Sequence, residues 1–226
     1  MFLEPIVGVA DQKPQHYEVS IGLKGAAGEH IDLGEAATSF SGTGLLPLID
    51  TARIAKAAQM ARRLAERGKT GAVLTSFSGE SLFDRETQDD LTSRGNVGAF
   101  PGQLVLMMPQ ALVRLFAAAD WHTLARLKAA GFAFALTDVT SLDMDFSALG
   151  SAGFTFARLD AETFLVGLPT SDGIVAPGDI CSHIAGSGLA LIVGGIVDDL
   201  QLAKIFGFGV VFGQGQLFGG VRAVGG

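Results

Sequence analysis

FAFALTDVTSLDMDFSALGSAGFTFARLD, from Phe132 to Asp160, holds two short apolar strands, Phe132–Leu136 and Phe154–Leu159. The first ends in Thr137-Asp138 and the second in Arg158-Leu159-Asp160. Between them, Phe146, Leu149 and Ala152 mark a short helical turn. A strand, a helix and a second buried strand form a parallel unit. In α/β proteins, side chains delivered at the carboxyl ends of such strands carry the ligand chemistry. The stretch therefore predicts both a fold class and a site containing Thr137, Asp138 and Arg158.

Working outward, the same alternation repeats. Leu46–Arg67 reads as a helix with Ile54, Ala57, Ala58, Ala61 and Ala65 on one stripe. Ala72–Thr75 is a buried strand, Glu80–Leu91 an acidic helix and Leu104–Met107 a strand, after which Pro109 opens a helix. Asp120 is expected to cap Trp121–Ala130, with Gly131 as its stop. Beyond Asp160, Ala161–Leu168 and Asp179–Ala185 read as helices, Leu189–Val193 as a strand, Asp198 as the cap of Asp199–Phe206, and Val210–Phe212 as the last strand. The chain opens differently. Phe2–Val9 and His16–Lys24 are strands close enough to pair antiparallel, and Gly25–Gly44 is a loop or irregular insertion. Period two puts Glu18, Ser20, Gly22 and Lys24 on one face. No strand reads as a polar edge, so a closed barrel is favoured over an open sheet. The 226 residues suit one domain of this kind, 1–226, since a single α/β barrel needs roughly 200–250 residues. The abrupt strand-like start suggests a domain excised from a longer chain.

Composition narrows the function. Apolar residues make up 48% of the chain, with 16 Phe, enough for a large core. A net charge of −7 argues against binding a nucleic-acid polymer, which needs a basic face. The single cysteine, Cys181, excludes an intrachain disulfide and a cysteine metal cage, and suits a reduced cytosolic setting. No apolar run is long enough to span a membrane. His16, His30, His122 and His183 show no ligand spacing, Gly186-Ser187-Gly188 is a helix stop and not a dinucleotide loop, and Asp143 and Asp145 read as an exposed loop turn. The strand ends are different. Ser76, Met107, Thr137, Asp138, Arg158, Gly194 and Gln214 would converge on one barrel mouth, with Glu18 nearby.

These residues resemble the EAL domain of cyclic di-GMP phosphodiesterases over almost the whole chain. EPIVGVADQKPQHYEVS is similar to that family's "PIVDL…GYEAL", TSFSG to "VNISP" and LVLMMPQ to "LVLEITE". FALTDVTS is similar to "IALDDFGT", FTFARLD to "DYLKID", ALIVGGIVDDLQL to "VIAEGVETEEQL" and FGQGQLFGG to "YGQGYLFG". The resemblance implies a TIM-like (β/α)8 barrel with one antiparallel strand. The variant motifs are closest to degenerate EAL domains of the TipF type, polar flagellum assembly factors whose EAL domain follows a membrane anchor and a coiled coil. That implies a cytoplasmic domain of a membrane-anchored protein, with protein partners from flagellar or polar assembly.

Active relatives use two divalent cations to activate water. The resemblance implies that Glu18 keeps a metal ligand, while Ser76, Met107, Thr137 and Gly194 stand where Asn, Glu, Asp and Glu would ligate metal. Asp138, Asp160 and Gln214 are kept, Arg158 replaces the Lys supporting the attacking water, and Val197 replaces the Glu that steadies a site loop. Methionine sulfur is soft and glycine offers no ligand, whereas Mg²⁺ wants hard oxygens. Arginine does not serve as a base but grips phosphate with a planar fork. No catalytic residue and no metal or other cofactor is therefore expected. The expected cyclic di-GMP set is Glu18, Ser20, Lys24, Ser76, Asp138, Arg158 and Gln214. Gly22 stands where the family's phosphate-contacting Arg falls, and Lys24 is the expected substitute. Three readings stay open: a non-catalytic cyclic di-GMP sensor, a scaffold that has lost the nucleotide, and, least favoured, an active phosphodiesterase.

Overall fold

The computed structural model describes residues 1–24, 30–33, 37–93, 102–171 and 173–223. Eight strands close into a barrel, numbered here in chain order: β1 (Phe2–Gly8), β2 (Pro14–Ser20), β3 (Val73–Ser76), β4 (Leu104–Pro109), β5 (Ala133–Thr137), β6 (Phe154–Asp160), β7 (Ala190–Gly194) and β8 (Phe212–Gln214). Neighbours from β2 to β8 are parallel. β1 closes the ring and is antiparallel to both β2 and β8. A short strand, Arg222–Ala223, adds to the outer half of β1. The closed α/β barrel with one inverted strand is the architecture the sequence predicts.

The alternation within each strand explains the closure. In β5, Phe134 and Leu136 pack outward against helices, while Ala133 and Ala135 face the lumen with Leu74, Val105 and Ile192. Inward-facing side chains from alternate positions fill the lumen, and the outward-facing ones bury the helix layer. The far end of the lumen is filled by Phe156, Phe212 and His16, whose ring stacks edge-on to both at 5.1 and 4.7 Å. His16 Nδ1 accepts a hydrogen bond from the Ala72 N–H at 2.9 Å. Burial pulls its pKa below the ordinary histidine value. The barrel is therefore a packed core with one open end.

The helix Leu46–Glu66 begins with Pro47 in its first turn and buries Ile54, Ala57, Ala58, Ala61 and Leu64 against the barrel. Its alanines permit close approach. Several expected boundaries differ. His16–Lys24 is not one strand: it breaks at Ile21, and Gly22–Lys24 pairs instead with His30–Asp32 in a separate two-stranded sheet. The segment read as a loop thus contains a strand, and also a helical turn at Ala37–Phe40. The acidic helix divides at Asp84, which is extended and accepts from Thr87 N–H, giving Gly79–Phe83 and Arg85–Ser93. Asp120 is the third residue of its helix, Ala118–Ala129, and its carboxylate reaches back to the Ala117 N–H. After Val166 the chain turns at Gly167 into a hairpin, Leu168–Thr170 with Gly173–Val175. The last barrel strand starts at Phe212, two residues later than expected.

Candidate functional site

Parity fixes what reaches the open end. Residues facing the lumen continue upward in steps of two, from Leu74 to Ser76, Val105 to Met107, Phe156 to Arg158 and Phe212 to Gln214. β1 runs the other way, so its beginning lies at the same end. Glu4 is directly opposite Glu18 in the β1–β2 ladder. A cleft of about 400 Å³ opens here, lined among others by Glu4, Asp138, Arg158, Asp160, Gly194 and Gln214.

Four side chains are knitted together at its base. Arg158 Nη1 donates to Glu18 Oε2 at 2.7 Å, with side chains 27% and 18% exposed. Gln214 Nε2 donates to the same Glu18 oxygen at 2.7 Å and to Glu4 Oε2 at 2.9 Å. One amide nitrogen thus bridges two carboxylates. Gln214 is 3% exposed, and its Oε1 has no hydrogen-bond partner among the described residues. Burial pushes the Glu4 carboxyl above its ordinary range, and the charge of Glu18 adds to this; Gln214 and Arg158 oppose it.

Asp138 stands just beyond β5 at φ 51°, a left-handed conformation that Asp tolerates better than most residues. Thr137 Oγ1 donates to its carboxylate at 3.2 Å, and Val139 N–H is bonded to the Arg158 carbonyl. The loop that follows is held by Gln110, which is 1% exposed. Its Oε1 accepts from Thr140 N–H at 2.9 Å and Ser141 N–H at 3.2 Å, and its Nε2 donates to the Ser141 carbonyl at 2.7 Å. Val197 is exposed and carries no part of that clamp. On the opposite wall, Gly195 sits at φ 73°, where a Cβ would lie 2.5 Å from Asp160 Oδ2. Gly215 is equally confined, its Cβ direction blocked by the Ile196 backbone.

Of the seven expected ligand residues, Asp138, Arg158 and Gln214 line the cleft and Glu18 is bonded to two of them. Ser20 and Ser76 are on the same end of the barrel but outside the cleft lining. Lys24 is the correction. The break at Ile21 takes it out of the Glu18 strand and into the separate sheet, and its side chain lies outside the described residues. Met107 is buried in the lumen and Asp143 is engaged with Ser171 N–H and Ser141, away from the cleft. Glu4 and Gln110 were not singled out from the sequence. Counting back across the opening hairpin from Glu18 would have found Glu4. Gln110 had no such signal, because a polar residue after a strand is ordinary.

An eight-stranded barrel with one inverted strand and a polar mouth defines the class of protein. The family follows directly: residues 1–220 match the model of the EAL domain, and the chain belongs to that family. No curated protein matches. Among solved structures, the chain is similar to the PaMucR phosphodiesterase in its c-di-GMP complex, with TM-score 0.79 and 18% identity over 99% of this chain and 91% of that one. It is similar to the Xanthomonas citri FimX EAL domain in complex with c-di-GMP, with TM-score 0.77 and 18% identity over 99% and 87%. It also matches the Vibrio cholerae LapD S helix-GGDEF-EAL segment, apo, with TM-score 0.76 and 14% identity over 96% of this chain and 53% of that one. These identities establish a shared fold.

The two divalent cations of that family do not fit the residues present. Such a pair needs hard ligands around ions about 3.5–4 Å apart. Glu18 Oε2 already accepts from a guanidinium and an amide, and Met107 and Gly194 bring no oxygen side chain. Among the described residues, no group of three or more His, Cys, Asp and Glu is placed to hold an ion. No helix among them is long and apolar enough to cross a membrane.

Proposed function

We propose that this EAL domain is a non-catalytic receptor for cyclic di-GMP, a signalling effector that recognises the dinucleotide at the barrel mouth without hydrolysing it. The observation that carries this reading is the Arg158–Glu18 pair at 2.7 Å. It puts a permanent cation where the family's two-metal chemistry needs open carboxylate oxygens. A guanidinium does not deprotonate in proteins, so Arg158 is no general base. It is a suitable hydrogen-bonding partner for phosphate. The unpartnered Gln214 Oε1 adds a buried acceptor beside it, suited to a ligand N–H or O–H. Family membership and solved neighbours of the same fold in c-di-GMP complexes make the dinucleotide the ligand to test. On this reading Asp138, Arg158 and Gln214 contact the ligand, with Glu4 added, and Glu18 acts through its bonds to Arg158 and Gln214.

Turnover of cyclic di-GMP with Mg²⁺ or Mn²⁺, followed by chromatography, is expected to be absent. Calorimetry without metal is expected to give a saturable heat. Clear hydrolysis would sink the non-catalytic reading, and no heat at any accessible concentration would sink the receptor reading.

A second reading has its own support. Four carboxylates, Glu4, Glu18, Asp138 and Asp160, surround Arg158, the single mouth cation among the described residues. An acidic mouth suits a domain that has lost its anionic ligand and acts as a protein scaffold. The motif resemblance to TipF-type factors supports, for either role, a part in flagellar or polar assembly as a cytoplasmic domain, 1–226, of a membrane-anchored protein. Capture of flagellar components, with and without cyclic di-GMP, tests that placement.

A further inference from the structure

Resting on the receptor reading for its choice of ligand, we propose that Glu18 is an internal counter-ion that competes with ligand phosphate for Arg158. The family's signature carboxylate then restrains anion binding at the mouth instead of supporting it.

The geometry separates two possible roles. A carboxylate that orients an arginine for a ligand raises affinity. One that occupies it lowers affinity. Glu18 Oε2 is the one hydrogen-bond acceptor for the Arg158 side chain among the described residues, through a single nitrogen, Nη1. That is an end-on contact, not the two-point grip that locks a guanidinium plane. Gln214 Nε2 anchors the same oxygen, so Glu18 is held in place while Arg158 is free at its other nitrogens. The wall beside Arg158 is Gly194, where even an added Cβ would stand 3.7 Å from Arg158 Cδ. Nothing there stops the arginine from swinging toward the cleft.

Charge decides between the roles. Arg158 is the only cation lining the cleft among the described residues, against Glu4, Asp138 and Asp160. Glu18 neutralises it from below. An entering phosphate meets three carboxylates and a cation already spoken for. Removing the Glu18 charge returns the cation to the ligand and deletes one repulsive neighbour.

The test compares the 226-residue chain with Glu18→Gln by calorimetry, using cyclic di-GMP and, in parallel, inorganic pyrophosphate. Glu18→Gln keeps an acceptor oxygen and removes the charge. It is expected to bind both ligands about tenfold more tightly. Arg158→Ala added to Glu18→Gln is expected to abolish the gain. Glu18→Asp, which shortens the reach to Nη1 at constant charge, is the second variant if Glu18→Gln misfolds, and a smaller gain is expected. Unchanged or weaker binding of pyrophosphate by both variants overturns the proposal. If pyrophosphate binding tightens while cyclic di-GMP binds no variant, the nucleotide reading fails and the counter-ion role stands. If cyclic di-GMP binds wild type and loses affinity in Glu18→Gln, the receptor reading stands and the counter-ion role fails.

Discussion

Two arginine–carboxylate pairs flank the mouth, and they are built for different purposes. Asp50 and Arg53 lie one turn apart on the helix Leu46–Glu66, 3.3 Å from each other, with side chains 1% and 5% exposed. Asp50 Oδ2 also accepts from Ser78 N–H at 2.8 Å and from Ser81 Oγ at 2.6 Å. Arg53 Nη1 donates to the carbonyl of Ser76, the last residue of β3. This pair ties the helix to the end of a strand and to the turn beyond it. Glu18 and Arg158 join β2 to β6 across 140 residues, and Arg158 borders a cleft. The first pair spends its bonds on the fold. The second keeps several donors facing solvent. Burial and neutral partners mark a structural ion pair, and an open side marks one available to a ligand.

The largest effect expected is on the first pair. Asp50→Ala leaves Arg53 charged and buried without its counter-ion, and frees Ser78 N–H and Ser81 Oγ. Removing one partner of a buried pair costs about 3–5 kcal/mol. Denaturant unfolding followed by circular dichroism reads this directly. Arg158→Ala is expected to cost only about 1–2 kcal/mol, because water reaches both partners at the mouth. The same variant is expected to lose cyclic di-GMP binding in calorimetry. A stability loss as large as that of Asp50→Ala would break the distinction between the pairs. Retained binding would remove Arg158 from the site.

How much of this was legible in the sequence follows from the same contrast. The barrel was legible because strand–helix alternation and buried strands constrain topology strongly. The β5 pattern of Phe and Leu against Ala separates the two faces but does not say which is inside: in β6 the large Phe156 faces the lumen and Ala157 the helices. Arg158 and Gln214 were legible because they fall at strand ends with inward parity. Lys24 was misplaced because a one-residue break at Ile21 redirects everything after it, and periodicity says nothing about where a strand stops. Glu4 escaped notice because it lies near the start of its strand, and only the inverted direction of β1 brings that end to the mouth. The Asp50–Arg53 network escaped because charges on a helix usually read as a solvated face, and its burial depends on the turn at Ser78 packing over it. Contacts between elements distant in the chain are set by tertiary packing, which local sequence does not encode.

Glu4 gives the smallest and sharpest test of the mouth as a site built against its own stability. Its carboxyl is raised by burial first and by the charge of Glu18 second. A raised acid favours the protonated folded state, so that contribution is fully present below the ordinary glutamate range and is lost as pH rises through the folded value. At neutral pH the ionised Glu4 therefore costs stability. Glu4→Gln removes that cost and keeps an oxygen for the Gln214 amide bond. The variant is expected to be more stable than wild type at neutral pH, by under about 1 kcal/mol given the partial exposure. The gain should shrink toward zero as the pH is lowered into the acid range. Denaturant midpoints measured across that range check both the sign and the slope. A gain that persists undiminished in acid would mean that packing, not charge, separates the two side chains. Glutamate would then carry no electrostatic penalty at the mouth, and the mouth would resemble the Asp50–Arg53 pair in having its charges paired within the fold.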